Sequence, residues 1–179
     1  MLKENKKMLF VDIETTGLNE EIDKIIKFSY VLVNNKTEVV DSKSLCIKQG
    51  LTLLRGRVLS YLGIDKQEIK EGCKVSEFCD ILKSLLDNNI LIVSYNVSFL
   101  KKFLERFLAK HKMEQCVEKI EYLDLLTVVR TENPTIKNCR LQKILSLFEI
   151  PEEECVPKLY LQLFNVCNQK YDLSYYVEK

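Results

Sequence analysis

The chain has 179 residues, 46% of them apolar and 30% charged, with a formal net charge of +1. That size suits a single globular domain spanning 1–179 with a sizeable core, and the balanced charge gives no overall attraction to a polyanion. Seven cysteines without a CxxC pair argue against a disulfide framework or a zinc site, and favour scattered, mostly buried thiols.

The opening MLKENKK precedes only a short apolar run, 8–11, too brief for a signal peptide or a membrane span, so a cytoplasmic protein with no membrane contact is expected. Residues 8–13 and 25–33 are rich in apolar, β-branched and aromatic side chains and predict strands. Asn34 and Asn35 signal a turn, and 37–47 resumes the pattern, so three strands follow in a row. Gly56, Gly63 and Gly72 then punctuate short helical turns. From Ser76 as N-cap, the residues Phe78, Leu82, Leu85 and Leu86 recur at helical spacing to about Asn88. Residues 90–93 predict a short buried strand, and Leu100, Phe103, Leu104, Phe107 and Leu108 stripe the clearest helix. Residues 119–126 supply a last strand leading into a turn of helix, and Asn133-Pro134 marks a loop. Leu141, Ile144, Leu145 and Phe148 stripe another helix, stopped by Pro151. A final helix starts at Pro157 and runs to about Asn168, followed by a tyrosine-rich tail that docks on the domain or on a partner. This order predicts an α/β layer fold with a mixed five-stranded sheet, its first three strands an antiparallel meander, flanked by helices.

The segment FVDIETTGL, 10–18, carries the most chemistry. Alternation along a strand points Asp12 and Glu14 to one face, roughly 6 to 7 Å apart. Acids on an otherwise apolar strand are costly unless a metal or donors compensate, and hard oxygen ligands of this kind suit magnesium or manganese. Thr15, Thr16 and Gly17 form a turn whose hydroxyls and close-approaching backbone suit contact with a nucleotide.

This string resembles the first motif of the DEDD superfamily of 3′-to-5′ exonucleases, in its branch of proofreading-subunit-like domains with an RNase H-like three-layer fold. The stretch LRGRVLSYLGI, 54–64, resembles a family segment with Leu62 in the place of a threonine. The stretch VSYNVSF, 93–99, resembles the second motif, with Tyr95 where a histidine stands. Leu123, Asp124 and Leu125 resemble the fifth strand, and 140–150 the penultimate helix. The resemblance implies two-metal hydrolysis that removes nucleotides from a 3′ end. Asp12 and Glu14 are then the catalytic metal ligands, Asn96 and Phe99 line the substrate cleft, and Leu18 presses on the terminal base. A single-stranded nucleic acid 3′ end and a polymerase or other replication or repair protein are the implied partners.

The chain departs from the pattern at its later motifs. Leu100 stands where the second-motif aspartate belongs, and Glu105, five residues on, is about 140° around the helix and cannot replace it. Cys155 and Tyr160 take the places of the third-motif histidine and aspartate. The acids Glu152, Glu153 and Glu154 are either substitute ligands or a solvated loop. The one histidine, His111, reads as a surface or core-edge residue whose charged form the helix dipole favours. Lys101, Lys102, Lys110 and Lys112 read as a solvated helix face rather than phosphate contacts, and Phe99 as a base-stacking surface or ordinary core. Three functions therefore compete. One is an exonuclease-like domain with impaired catalysis and a retained binding groove. The others are an active metal-dependent exonuclease on single-stranded DNA or RNA, and a non-catalytic assembly module.

Overall fold

The computed structural model describes residues 6–34, 38–50, 56–86 and 90–178, the side chains of 56, 57 and 119 excepted. Strand β1 (Lys7–Thr15) is buried on both faces over Met8 to Val11, as its apolar run demands, and opens toward solvent at Asp12 and Glu14. It pairs antiparallel with β2 (Ile25–Val33), with Asp12 opposite Ser29 and Glu14 opposite Lys27. β3 (Val39–Cys46) completes the expected meander and sets Ser44 opposite Ser29. On its other side β1 runs parallel to β4 (Ile90–Ser94), which runs parallel to β5 (Ile120–Asp124).

The sheet has six strands rather than the expected five. β6 (Val177–Glu178) pairs antiparallel with β5 and gives the order β3-β2-β1-β4-β5-β6. Two residues carry no alternation for a pattern to register, so this strand is silent in the sequence. The tyrosine-rich tail thus docks on its own domain: Leu173 is buried, and Tyr176 Oη donates to Glu132 Oε1 at 2.5 Å.

Helices α1 (Gly56–Leu62), α2 (Lys66–Glu71) and α3 (Val75–Leu86) follow β3. Gly63, at φ +65°, ends α1 in a conformation that glycine adopts without strain. Ser76 is not the cap of α3 but lies inside its first turn, because the Glu77 carboxylate accepts the Lys74 amide at 2.9 Å and closes the helix start earlier. Asn35, Leu54, Arg55 and the expected helix end at Asn88 lie outside the described residues. α4 (Val97–Lys110), α5 (Leu125–Glu132), α6 (Leu141–Leu147) and α7 (Val156–Lys170) complete the helices, and α7 runs two residues past its expected end.

The sheet is sandwiched between two apolar layers. One, around Phe28, Tyr30 and Phe78, takes the stripes of α3 and α4. The other, around Phe10, Leu123 and Phe164, takes α5, α6 and α7. All seven cysteines are free thiols, but only Cys167 is buried, and the other six are half-buried. His111 is a core-edge residue packed against Phe107, the rings tilted by 39° with centroids 4.4 Å apart. Contrary to the dipole expectation, burial and then the neighbouring Lys110 push its pKa down, favouring the neutral ring.

Candidate functional site

Asp12 and Glu14 share the face of β1 that looks toward α7, and open into a cleft of about 380 Å³. Register supplies its other walls: Lys27 lies across from Glu14, Ser29 across from Asp12, and Ser44 across from Ser29, with the two serine hydroxyls 2.8 Å apart. Glu154 and Cys155, just ahead of α7, close the cleft from above. Lys27, Ser29 and Ser44 were not found by reading motifs, since only strand pairing brings them to the site.

Both carboxyls hold their protons more tightly than usual. Burial raises Asp12, against the lowering effects of the Tyr160 hydrogen bond and the Lys27 charge. Burial and then the Asp12 charge push Glu14 up to about 7, with Lys27 again opposing. Tyr160 Oη donates to Asp12 Oδ1 at 2.7 Å. The Tyr160 ring is buried and stacks on Tyr95, whose own hydroxyl donates to the Cys139 carbonyl at 2.5 Å. Burial and the adjacent Asp12 charge raise the Tyr160 phenol, so it remains a neutral donor.

The loop after β1 is organised from within. Thr15 Oγ1 donates to the Gly17 carbonyl, and Thr16 Oγ1 donates to Asp23 Oδ1 while accepting the Lys24 amide. The second Asp23 oxygen takes the Asn19 amide. A Cβ at Gly17 would lie 2.4 Å from that carboxyl, so any larger residue there would displace the Asp23 side chain and its hydrogen bonds. The threonine hydroxyls expected to meet a nucleotide are thus engaged in shaping the loop, and Leu18 projects from its tip at 84% exposure. Asp23, the hub of this network, was missed; its only sequence signal is a loop aspartate just before β2.

Asn96 is exposed in the left-handed region, φ 74°, with its amide bonded to Asp124 Oδ1. Phe99 packs on Phe103 with centroids 4.9 Å apart, and Leu100 is sealed in the core at 2% exposure. Neither Asn96 nor Phe99 is among the cleft-lining residues. Glu153 pairs with Lys158 at 3.6 Å, and Lys101 pairs with Glu105 and lies over the Tyr122 ring. Exonucleases of the DEDD superfamily use divalent metals. Among the described residues no group of three or more histidine, cysteine, aspartate or glutamate side chains is placed to hold a metal ion. Tyr160 engages one oxygen of Asp12, and Leu100 lies in the core, so neither Tyr160 nor Leu100 offers a carboxylate to a metal.

The profile of the RNase T exonuclease family matches residues 9–154, and the chain belongs to that family, as a DEDD 3′-to-5′ exonuclease domain. Among curated relatives, it is 30% identical over 152 residues to the PolC-type DNA polymerase III of Pediococcus pentosaceus, covering 85% of this chain and 10% of the polymerase. The PolC-type polymerase of Ureaplasma parvum is 26% identical over 147 residues, covering 82% of this chain and 10% of that polymerase. The chain therefore spans about a tenth of the length of these relatives. In fold it is similar to a product-bound exonuclease I, with TM-score 0.80 and 18% identity over 92% of this chain and 43% of that one. E. coli exonuclease I with a dT13 oligonucleotide superposes with TM-score 0.75 and 18% identity, covering 92% and 41%.

Proposed function

We propose that this domain engages the 3′ end of a single-stranded nucleic acid at the Asp12–Glu14 cleft with impaired hydrolysis, alongside a polymerase or other replication or repair protein. The observation that carries the reading is the 2.7 Å hydrogen bond from Tyr160 to Asp12. It meets the first-motif carboxylate with a neutral phenol at the position the resemblance gives to an aspartate. Leu100, in the place of the second-motif aspartate, is closed into the core and has no oxygen to offer a metal. Losing a positioned general base alone costs about 10² to 10⁴ in rate, and a lost metal position adds several kcal/mol. Two carboxylates suffice at most for one weakly held magnesium or manganese ion. Lys27 offers the cleft a positive charge, the exposed Leu18 an apolar surface for a base, and the PolC-type relatives favour DNA.

Fluorescence anisotropy with a single-stranded oligonucleotide should show binding that weakens steeply as salt rises. Digestion in manganese should stay at the level of Asp12→Ala. Manganese-dependent digestion well above that variant would overturn the impairment, and no binding at low salt would leave the domain an assembly module.

One observation favours the active enzyme instead: Glu154 lines the same cleft as Asp12 and Glu14, so a third carboxylate stands close by. On that reading digestion is lost in both Asp12→Ala and Glu154→Gln.

A further inference from the structure

β3 is the outermost strand on its side of the sheet, and among the described residues no strand pairs with its outer edge. Most of it is exposed, with Val39 at 52% and Val40 at 59%. The Ser42 amide is met at 2.9 Å by the carboxylate of its neighbour, Asp41 Oδ1. An amide turned toward β2 would join the ladder there, so this N–H lies on the free edge. Just past the strand, the Cys73 amide donates to the Cys46 carbonyl and Ile47 bridges to Cys73, closing the edge at that end. The open stretch is 39–45, with Ser42 at its middle.

We infer that this edge pairs antiparallel with the same edge of a second copy of this chain, about a two-fold axis at Ser42. Such pairing sets Ser42 against Ser42, Val40 against Ser44, and Asp41 against Lys43. The outward-facing residues 42 and 44 then offer main-chain bonds, while Val40 sits at the irregularity where the register with β2 shifts. Asp41 and Lys43 fall at the positions between them, where opposing Cα atoms are about 4.5 Å apart and side chains lie closest. Opposite charges placed symmetrically about its centre make a strand's charges complementary to those of its own copy, and Asp41 and Lys43, which pair at 3.6 Å within one chain, meet that condition. Pairing passes the Ser42 amide to the ladder and frees Asp41 Oδ1 for the lysine of the second copy, while Oδ2 keeps the Tyr30 hydroxyl and the Lys43 ammonium of its own chain. A lone edge lysine keeps strands apart; one mirrored by an aspartate attracts its own copy. A single strand pair buries less than a standard interface, so the dimer is weak and depends on concentration.

Light scattering after size exclusion at rising protein concentration tests the pairing. The wild type should move from the mass of one chain toward two, Lys43→Asp should stay at one, and Asp41→Lys combined with Lys43→Asp should return to two. A wild type that stays monomeric throughout, or a dimer that persists in Lys43→Asp, overturns the inference. Circular dichroism reports whether each variant folds. Should the single variant misfold, the swapped pair decides alone, a dimer supporting the inference and a monomer sinking it.

Discussion

Tyr160 and Asp12 lie 148 residues apart in the chain, and the 2.7 Å bond between them fixes the chemistry available at the end of β1. Tyr160→Phe removes the donor and leaves a part-buried carboxylate oxygen unmet, at a cost of about 1–2 kcal/mol in urea unfolding. Tyr160→Asp places a further carboxylate against Asp12 and Glu14. That variant should be less stable than wild type in a chelator, and should gain thermal stability with added manganese where wild type does not; no manganese-dependent gain would show that the position cannot complete a metal site. Glu14 gives a pH signature. It holds its proton to about 7 in the folded chain, against 4.5 ordinarily, so between those values the folded state is the stronger proton binder. Stability therefore falls as pH rises through that window. Glu14→Gln should flatten most of this decline in urea midpoints, with Asp12, raised in the same direction, keeping the remainder.

At the scale of elements, one carboxylate joins two strand-to-helix turns. Asp124 Oδ1 accepts the amides of Asn96, which opens α4, and of Leu126 in the first turn of α5, while Oδ2 takes Thr127. Asp124→Ala removes a helix cap and should cost about 1–2 kcal/mol, read from the denaturant midpoint. Asn96 occupies left-handed backbone, so Asn96→Gly should be close to neutral while Asn96→Val costs about 1–2 kcal/mol more. The helices themselves were legible because their burial follows a period that a stripe such as Leu100, Phe103, Leu104 and Leu108 displays directly. Their starts were less so, since the beginning of α3 depends on which way the Glu77 side chain turns.

For the molecule as a whole, the α/β/α layering, the meander and the Asp12–Glu14 pair were all readable, because each is written in local alternation. The walls of the cleft were not. Lys27, Ser29 and Ser44 reach it through strand register, and Glu154 through the chain's return ahead of α7, neither of which local pattern encodes. The same limit applies to β6, whose two residues cover the far side of β5. Ending the chain at Lys170 would strip that cover, together with the anchor from Tyr176 to Glu132. The main-chain donors and acceptors of Tyr122 and Leu123 would then face water as a ready template for other strands. Turbidity on storage should rise well above that of the full chain. Colloidal behaviour, on this account, depends on a ribbon too short to be noticed in the sequence.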